Sequence, residues 1–136
     1  MSSPLHVDPR ALQWFSSETR TVQRMFASDD VEVDLVCWEP TQSSSRHDHG
    51  GATSIVVVLQ GAMTMECDGR VDRAEAGSAL VTPADATHQM RNDSHDRAIT
   101  LHVYAPRLPG GISDPFVDRT TEEAAPADPK ETEPRC

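Results

Sequence analysis

Along most of the chain, apolar residues alternate with polar ones at the two-residue period of a β-strand. These short runs are separated by glycine, proline, asparagine and aspartate, the usual turn residues. Asp68-Gly69 is the strongest tight-hairpin signal, because both residue types tolerate a positive φ. The pattern predicts an all-β sandwich or barrel, with strands near residues 31–35, 54–59, 63–67, 78–82 and 98–104.

Two of the predicted strands differ in the burial that their composition indicates. Residues 54–59 form a β-branched run, which is typical of a strand buried on both faces. Residues 31–35 alternate apolar and acidic side chains, which is the pattern of a half-buried strand. We therefore expect the strand at residues 54–59 to be covered on both sides and the strand at residues 31–35 to be covered on one side only.

A short helix is predicted near the N-terminus. Asp8 is suited to be its N-cap, and Pro9 is suited to the first helical position. The helix is expected to run to about residue 15 and to cover an edge of the main body with its apolar side chains Leu12, Trp14 and Phe15.

The composition divides the chain into three parts. Residues 1–18 are predicted to form an N-terminal arm that contains the helix, and residues 19–118 to form the β-barrel. Residues 119–136 contain mostly Thr, Glu, Ala and Pro, so we expect an acidic, proline-containing disordered tail. Phe116 and Val117 are the residues expected to hold the preceding segment against the barrel.

Length and charge exclude several classes of partner. A chain of 136 residues favours one domain. The net charge of −10 argues against nucleic acid or an anionic membrane as a partner. No apolar run approaches the roughly 18 residues of a membrane span, and the three cysteines form no Cys-x-x-Cys pair. We expect a cytoplasmic protein, either a monomer or a homodimer.

One stretch of the chain points to metal binding. His47 and His49 are separated by one residue, so an extended backbone turns both rings to the same side and Arg46 to the other. His88 follows a turn between two strands and is the best-placed third ligand. Imidazole suits Fe, Ni, Cu or Zn, so the ligand set alone does not identify the metal.

The segment around His88 resembles the second motif of the cupin superfamily. That motif places a glycine, a proline, a histidine and an asparagine at the spacing of Gly77, Pro83, His88 and Asn92. Asp85 replaces the second glycine of the motif, and aspartate tolerates the left-handed conformation that glycine supplies. The resemblance implies a single-domain cupin (jelly-roll) β-barrel.

The first cupin motif is matched by His47, His49 and Gly61, but not at its glutamate, where Ser54 stands. Three neutral imidazoles leave a bound metal ion at its full positive charge, whereas a carboxylate ligand would cancel one unit of it. Such a site favours an anionic ligand from outside the protein, such as a thiolate.

The surrounding residues are similar to the thiol dioxygenase branch of the cupins, the cysteine dioxygenase family. The similarity extends from about residue 24 to 106, and its most distinctive stretches are 35–38, 43–49, 58–61 and 101–106. It implies Fe(II) held by His47, His49 and His88, and the addition of both atoms of O2 to a thiol.

Thr100, His102 and Tyr104 occupy alternate positions of one predicted strand, so they share a face. The resemblance implies that they form a relay in which the tyrosine hydroxyl reaches the substrate and oxygen, while the histidine holds that hydroxyl in place. In the animal-type enzymes a cysteine at the position of Ser54 is cross-linked to the tyrosine, a bond that serine cannot form.

Arg24 aligns with the arginine that binds the substrate carboxylate in this family. A guanidinium suits that role because its donor fork can pair with both carboxylate oxygens. Arg20 is a nearby competitor for the role, and Val22 stands where the family usually has a tyrosine.

The resulting hypothesis is an iron-dependent dioxygenase that oxidises a small thiol carboxylate, of the cysteine or 3-mercaptopropionate type, to its sulfinic acid. Two alternatives stay open. One is a cupin that binds a metal or small ligand without catalysis, and the other is a cupin oxygenase or isomerase acting on a substrate that is not a thiol.

Overall fold

The computed structural model describes residues 5–108. The tail predicted for residues 119–136, and the contacts predicted for Phe116 and Val117, lie outside the described residues. Within the described part, one short helix precedes eight strands: α1 (Pro9–Leu12), β1 (Thr21–Ala27), β2 (Glu32–Trp38), β3 (Thr53–Gln60), β4 (Ala62–Cys67), β5 (Arg70–Glu75), β6 (Ala79–Thr82), β7 (His88–Arg91) and β8 (Ala98–Ala105).

The strands form two antiparallel sheets. The larger sheet has five strands in the order β1-β2-β8-β3-β6, and the smaller has three in the order β5-β4-β7. This arrangement confirms the predicted all-β jelly-roll barrel. The one helix of the described part, α1, is not long and apolar enough to cross a membrane.

An apolar core fills the space between the two sheets. The larger sheet contributes Trp38, Val56 and Val58, and the smaller sheet contributes Met63 and Met90, all of them buried. The burial follows from the two-residue period, because alternate side chains of each strand point inward. Burying this apolar surface is the main favourable contribution to folding.

The prediction that residues 54–59 are buried on both faces is wrong. β3 buries Ser54, Val56 and Val58, whereas Ile55 is 39% exposed and Leu59 is 40% exposed. The strand lies between β8 and the edge strand β6, so its inward side chains face the core, and no described segment covers its outward side chains. This β-branched run therefore forms a strand with one buried face and one face that is largely exposed to solvent.

The acidic residues of β2 point into the barrel. Glu32 is fully buried and Asp34 is 7% exposed, although a half-buried strand usually turns its charged side to water. Leu35 and Cys37, on the outward face, are buried as well, because Leu12 and Phe15 pack over them. β2 is thus covered on both faces, and its polar side lies inside the barrel.

The N-terminal helix begins as predicted but is shorter. Asp8 accepts a hydrogen bond of 2.9 Å from the backbone N–H of Arg10, and Pro9 stands in the first turn. The helix ends at Leu12 rather than near residue 15, because Gln13 is already extended. Leu12 and Phe15 nevertheless pack on the sheet, as predicted.

Two predicted turns are confirmed by backbone angles. Asp68 and Gly69 both have positive φ values, 53° and 82°, and connect β4 to β5 as a tight hairpin. Asp85, which replaces a glycine of the cupin motif, has φ of 67°. Aspartate thus adopts the left-handed conformation that the motif requires.

Gly61 is the glycine whose missing side chain matters most. Its φ is +78°, and a Cβ placed there would lie 2.5 Å from the backbone oxygen of Arg97. Gly69 has a similar φ of +82°, but an added Cβ would meet nothing within 4 Å.

We predict that Gly61→Ala lowers the free energy of unfolding by about 3 kcal/mol or more, because the strained φ and the backbone clash add. Gly69→Ala, the matched control, should cost only about 1 kcal/mol, since strain acts there alone. Urea denaturation monitored by circular dichroism measures both values. Equal losses for the two variants would contradict the argument.

Candidate metal centre and hydrogen-bonded relay

The structure brings His47, His49 and His88 together from two separate parts of the chain. Their ring centroids are 4.8–5.0 Å apart, and one ring nitrogen from each lies within 4.8 Å of the others. His88 begins β7, whereas His47 and His49 lie in the segment before β3. Three imidazole nitrogens at this separation can converge on one metal ion.

Backbone pairing holds two of these histidines in register. The N–H of His47 donates to the backbone oxygen of His88 at 3.0 Å, and the reciprocal bond is 2.9 Å. The next turn holds His49, because the Asp48 side chain accepts from the N–H of Gly50 at 2.8 Å. The loop is thus fixed on both sides of its ligands.

Hydrogen bonds also set the orientation of two rings. Nδ1 of His47 lies 2.7 Å from the backbone oxygen of Ser45, and Nδ1 of His88 lies 3.1 Å from that of Ala86. A carbonyl oxygen can only accept, so each Nδ1 carries the hydrogen and each Nε2 keeps its lone pair. These second contacts are typical of metal-binding histidines.

The environment keeps the three rings neutral. Burial is the main cause that lowers the pKa of His47, of His49 and of His88 below the ordinary imidazole value. For His47 and His49, repulsion between the neighbouring rings lowers the pKa further. Because only a neutral imidazole can bind a metal, the residues present fit a divalent ion.

A chain of hydrogen bonds runs along the inward face of β8 beside this cluster. Nε1 of Trp38 donates to Oγ1 of Thr100 at 2.9 Å. Oγ1 of Thr100 lies 2.8 Å from Nε2 of His102, and Nδ1 of His102 lies 3.2 Å from the hydroxyl of Tyr104. The Tyr104 ring in turn contacts the His49 ring, with centroids 4.7 Å apart. The three predicted relay residues therefore share one buried face and end at the histidine cluster.

Trp38 fixes the direction of the first hydrogen bond in this chain. An indole N–H can only donate, so Thr100 accepts from Trp38 and keeps one hydrogen and one lone pair for its other contacts. In a neutral His102 ring one nitrogen donates and the other accepts, so the tautomer sets the direction of both contacts together, the one to Thr100 and the one to Tyr104. Burial lowers the pKa of His102 to about 3, so the ring is in this neutral form.

Ser54 lies next to the relay tyrosine. It is opposite Tyr104 in the pairing of β3 with β8, and its side chain is buried. Its Oγ has no hydrogen-bond partner among the described residues. A small hydroxyl therefore occupies the position where the first cupin motif has a glutamate.

Arg24, the residue expected to bind a substrate carboxylate, is surrounded by carboxylates of the protein. Its Nη2 donates to Oε2 of Glu32 at 3.4 Å, and its Nε lies 3.9 Å from Oδ1 of Asp34. Arg107 also approaches Glu32, at 3.9 Å. Arg20, the competitor, stacks over the Trp38 ring at 5.7 Å, and its charge helps to lower the pKa of His102.

The remaining polar candidates lie away from the centre. Arg46 points outward and forms an ion pair of 2.8 Å with Glu66. His6 and His95 are exposed, as predicted. Of the cysteines in the described range, Cys37 is buried and Cys67 is partly buried, and burial raises the pKa of both thiols.

The sequence alone did not identify Glu32 and Asp34 as residues of the barrel interior, nor Trp38 as a donor. The signal that identifies them is the strand register, in which Glu32 faces Tyr104 and Asp34 faces His102. Directly opposed residues of an antiparallel pair share a face. Which residues face each other depends on which strands pair, and the local sequence does not show that pairing.

The cupin-domain family matches residues 34–104, which is more than half of the chain and includes every histidine of the cluster. The protein belongs to the cupin family. Its predicted cupin fold is thereby confirmed, and its three-histidine cluster is a candidate metal centre of this cupin.

Solved structures agree on the fold of this cupin. TT1209 from Thermus thermophilus is 28% identical with a TM-score of 0.71, and the match covers 75% of this chain and 97% of that one. KdgF from a Halomonas species is 21% identical with a TM-score of 0.67, covering 77% and 96%. A cupin superfamily protein from Desulfitobacterium hafniense is 20% identical with a TM-score of 0.65, covering 79% and 94%.

We predict that His88→Ala weakens Zn²⁺ binding by about a hundredfold or more, because losing a ligand costs more than losing a residue that only orients one. His95→Ala, which removes an exposed histidine, is the matched control and should bind Zn²⁺ as the unmodified protein does. Isothermal titration calorimetry gives both affinities. Unchanged binding by His88→Ala would contradict the site.

We also predict that metal-free protein loses stability as the pH falls, in part through His102. Its pKa is about 3 in the fold and about 6.5 in an unfolded chain, so between these values the unfolded state binds the extra proton. At about pH 4.5 the loss due to His102 is about 2–3 kcal/mol. His102→Gln should therefore lose less unfolding free energy between pH 7 and about pH 4.5. Urea denaturation at both pH values is the measurement, and equal losses for the two proteins would contradict it.

Proposed function

We propose that this cupin is an iron-dependent dioxygenase that converts a small thiol to its sulfinic acid. The observation that carries the proposal is the juxtaposition of two features. A cluster of three neutral histidines lies next to Tyr104, and Tyr104 ends a buried hydrogen-bonded chain that begins at Trp38. A protein that only binds a metal has no evident need for the second feature.

The ligand set supports a thiol as the substrate. Three neutral imidazoles carry no charge of their own, and Ser54 brings none to the position of the motif's glutamate. The site then attracts an anion. A thiol supplies one when its pKa is lowered, because it then ionises to a thiolate.

Iron(II), held by His47, His49 and His88, would supply Lewis acidity towards the thiol and the redox capacity to activate O2. The protein's own residues orient the reactants. Tyr104 presents its hydroxyl to the reacting atoms, and the hydrogen bond with His102 holds that hydroxyl in place. Burial of Thr100, His102 and Tyr104 excludes water from this face.

The reaction is balanced without a further reductant. One thiol and one O2 give one sulfinic acid (RSH + O2 → RSO2H). The sulfur loses four electrons and O2 gains four, so both oxygen atoms enter the product. The sequence resemblance also implied that the thiol carries a carboxylate held by Arg24. In the structure, Arg24 lies beside the carboxylates of Glu32 and Asp34.

We predict that Tyr104→Phe lowers kcat/KM for thiol oxidation by about a hundredfold, the usual size of a lost proton-donating group. Metal content should stay the same, because Tyr104 is not among the clustered ligands. Oxygen consumption by iron-loaded protein with a panel of small thiols measures the rate, and metal analysis gives the content. Turnover of none of the thiols by protein that holds iron would refute the proposed function.

A further inference from the structure

A cluster of four charged side chains includes three on the inner wall of the barrel, which is defined here by the inward-facing positions of β1, β2 and β8, and a fourth, Arg107, that follows the end of β8. The cluster consists of Arg24, Glu32, Asp34 and Arg107. Glu32 is fully buried, and the Arg24 side chain is 17% exposed. The two carboxylates balance the two guanidinium groups, so the cluster carries no net charge.

This cluster adjoins the relay. Glu32 is directly opposite Tyr104 and Asp34 is directly opposite His102 across the β2–β8 pair. Arg24 is in turn opposite Asp34 across the β1–β2 pair. The three charged residues therefore lie on the same face as the tyrosine that contacts His49. The far end of a small ligand at the histidine cluster would meet this part of the wall.

The pairing of Arg24 opposes a substrate carboxylate. A carboxylate arriving at the Arg24 guanidinium would compete with Glu32, and the cluster has no net positive charge to attract it into this poorly solvated region. A buried carboxylate without a balancing charge is unfavourable, and so is a buried Glu32 that has lost its partner. Glu32 thus already accepts from Nη2 of Arg24, one of the donors that a substrate carboxylate would use.

We propose that Glu32 makes this pocket selective for a thiol without a carboxylate, and that Asp34 reinforces the selection. This inference rests on the proposed thiol dioxygenase function and specifies its substrate class. The substrate is then a small thiol with an uncharged far end, rather than a mercapto acid.

The test compares two thiols of similar size, 2-mercaptoethanol and 3-mercaptopropionate, with iron-loaded protein. The unmodified protein should have a kcat/KM at least about tenfold higher for 2-mercaptoethanol, with the difference mainly in KM. Glu32→Gln should raise kcat/KM for 3-mercaptopropionate relative to 2-mercaptoethanol by about tenfold or more.

Glu39→Gln is the matched control. This substitution removes a carboxylate from the 3.1 Å ion pair between Glu39 and Arg97, which lies outside the barrel. It should leave the preference between the two thiols unchanged. Asp34→Asn is a second variant, since Glu32→Gln can lose stability by leaving arginines unbalanced. It should shift the preference in the same direction, by a smaller factor, because Asp34 lies farther from the Arg24 guanidinium. Melting temperatures identify any variant that fails to fold.

A binding measurement separates this inference from the proposed function. Zinc has no redox chemistry, so zinc-loaded protein binds thiols without oxidising them. Isothermal titration should show that Glu32→Gln gains about tenfold or more in affinity for 3-mercaptopropionate while its affinity for 2-mercaptoethanol stays the same. That gain would support the inference even if iron-loaded protein oxidised no thiol.

Two results would overturn the inference while leaving the dioxygenase function intact. One is a preference of the unmodified protein for 3-mercaptopropionate over 2-mercaptoethanol. The other is an unchanged preference in both Glu32→Gln and Asp34→Asn, provided that both variants fold and oxidise thiols.

Discussion

The pairing of β8 between β2 and β3 is the constraint on which the rest of the structure depends. Its register places Tyr104 opposite Glu32 on one side and opposite Ser54 on the other. A shift by one residue would turn all of these side chains out of the barrel and bring Leu101 and Val103 in. The relay, the charged cluster and the contact with His49 therefore all depend on this one set of backbone hydrogen bonds.

Inside the barrel, the relay and the charged cluster are stabilised by specific partners, whereas the buried Oγ of Ser54 has no hydrogen-bond partner among the described residues. A low dielectric strengthens a satisfied hydrogen bond and penalises an unsatisfied one. Trp38, Thr100 and His102 satisfy one another in sequence, and the depressed pKa of His102 keeps its ring neutral, so that one of its nitrogens donates and the other accepts. Glu32 is stabilised in a different way, by the charges of Arg24 and Arg107. The barrel thus contains an ordered neutral chain beside a balanced ionic cluster.

Local sequence predicted the features that depend on neighbouring residues. The Asp68-Gly69 hairpin, the cap at Asp8 and the left-handed Asp85 are all confirmed, because each depends on the conformational preferences of one or two residues. The prediction that residues 54–59 are buried on both faces failed. A β-branched run reports strand propensity, whereas burial depends on what packs outside the strand, and no described segment covers Ile55 or Leu59.

The sequence by itself determined five of the eight strands in the described part, the three histidines at cupin spacing and the shared face of Thr100, His102 and Tyr104. These follow from the two-residue period of a strand and from fixed distances along the chain. Only the tertiary structure decided that the acidic residues of β2 face the relay and that Arg24 is already paired with Glu32. The reason is that strand pairing joins residues about 70 positions apart, such as Glu32 and Tyr104, whose relation depends on register and on no local pattern.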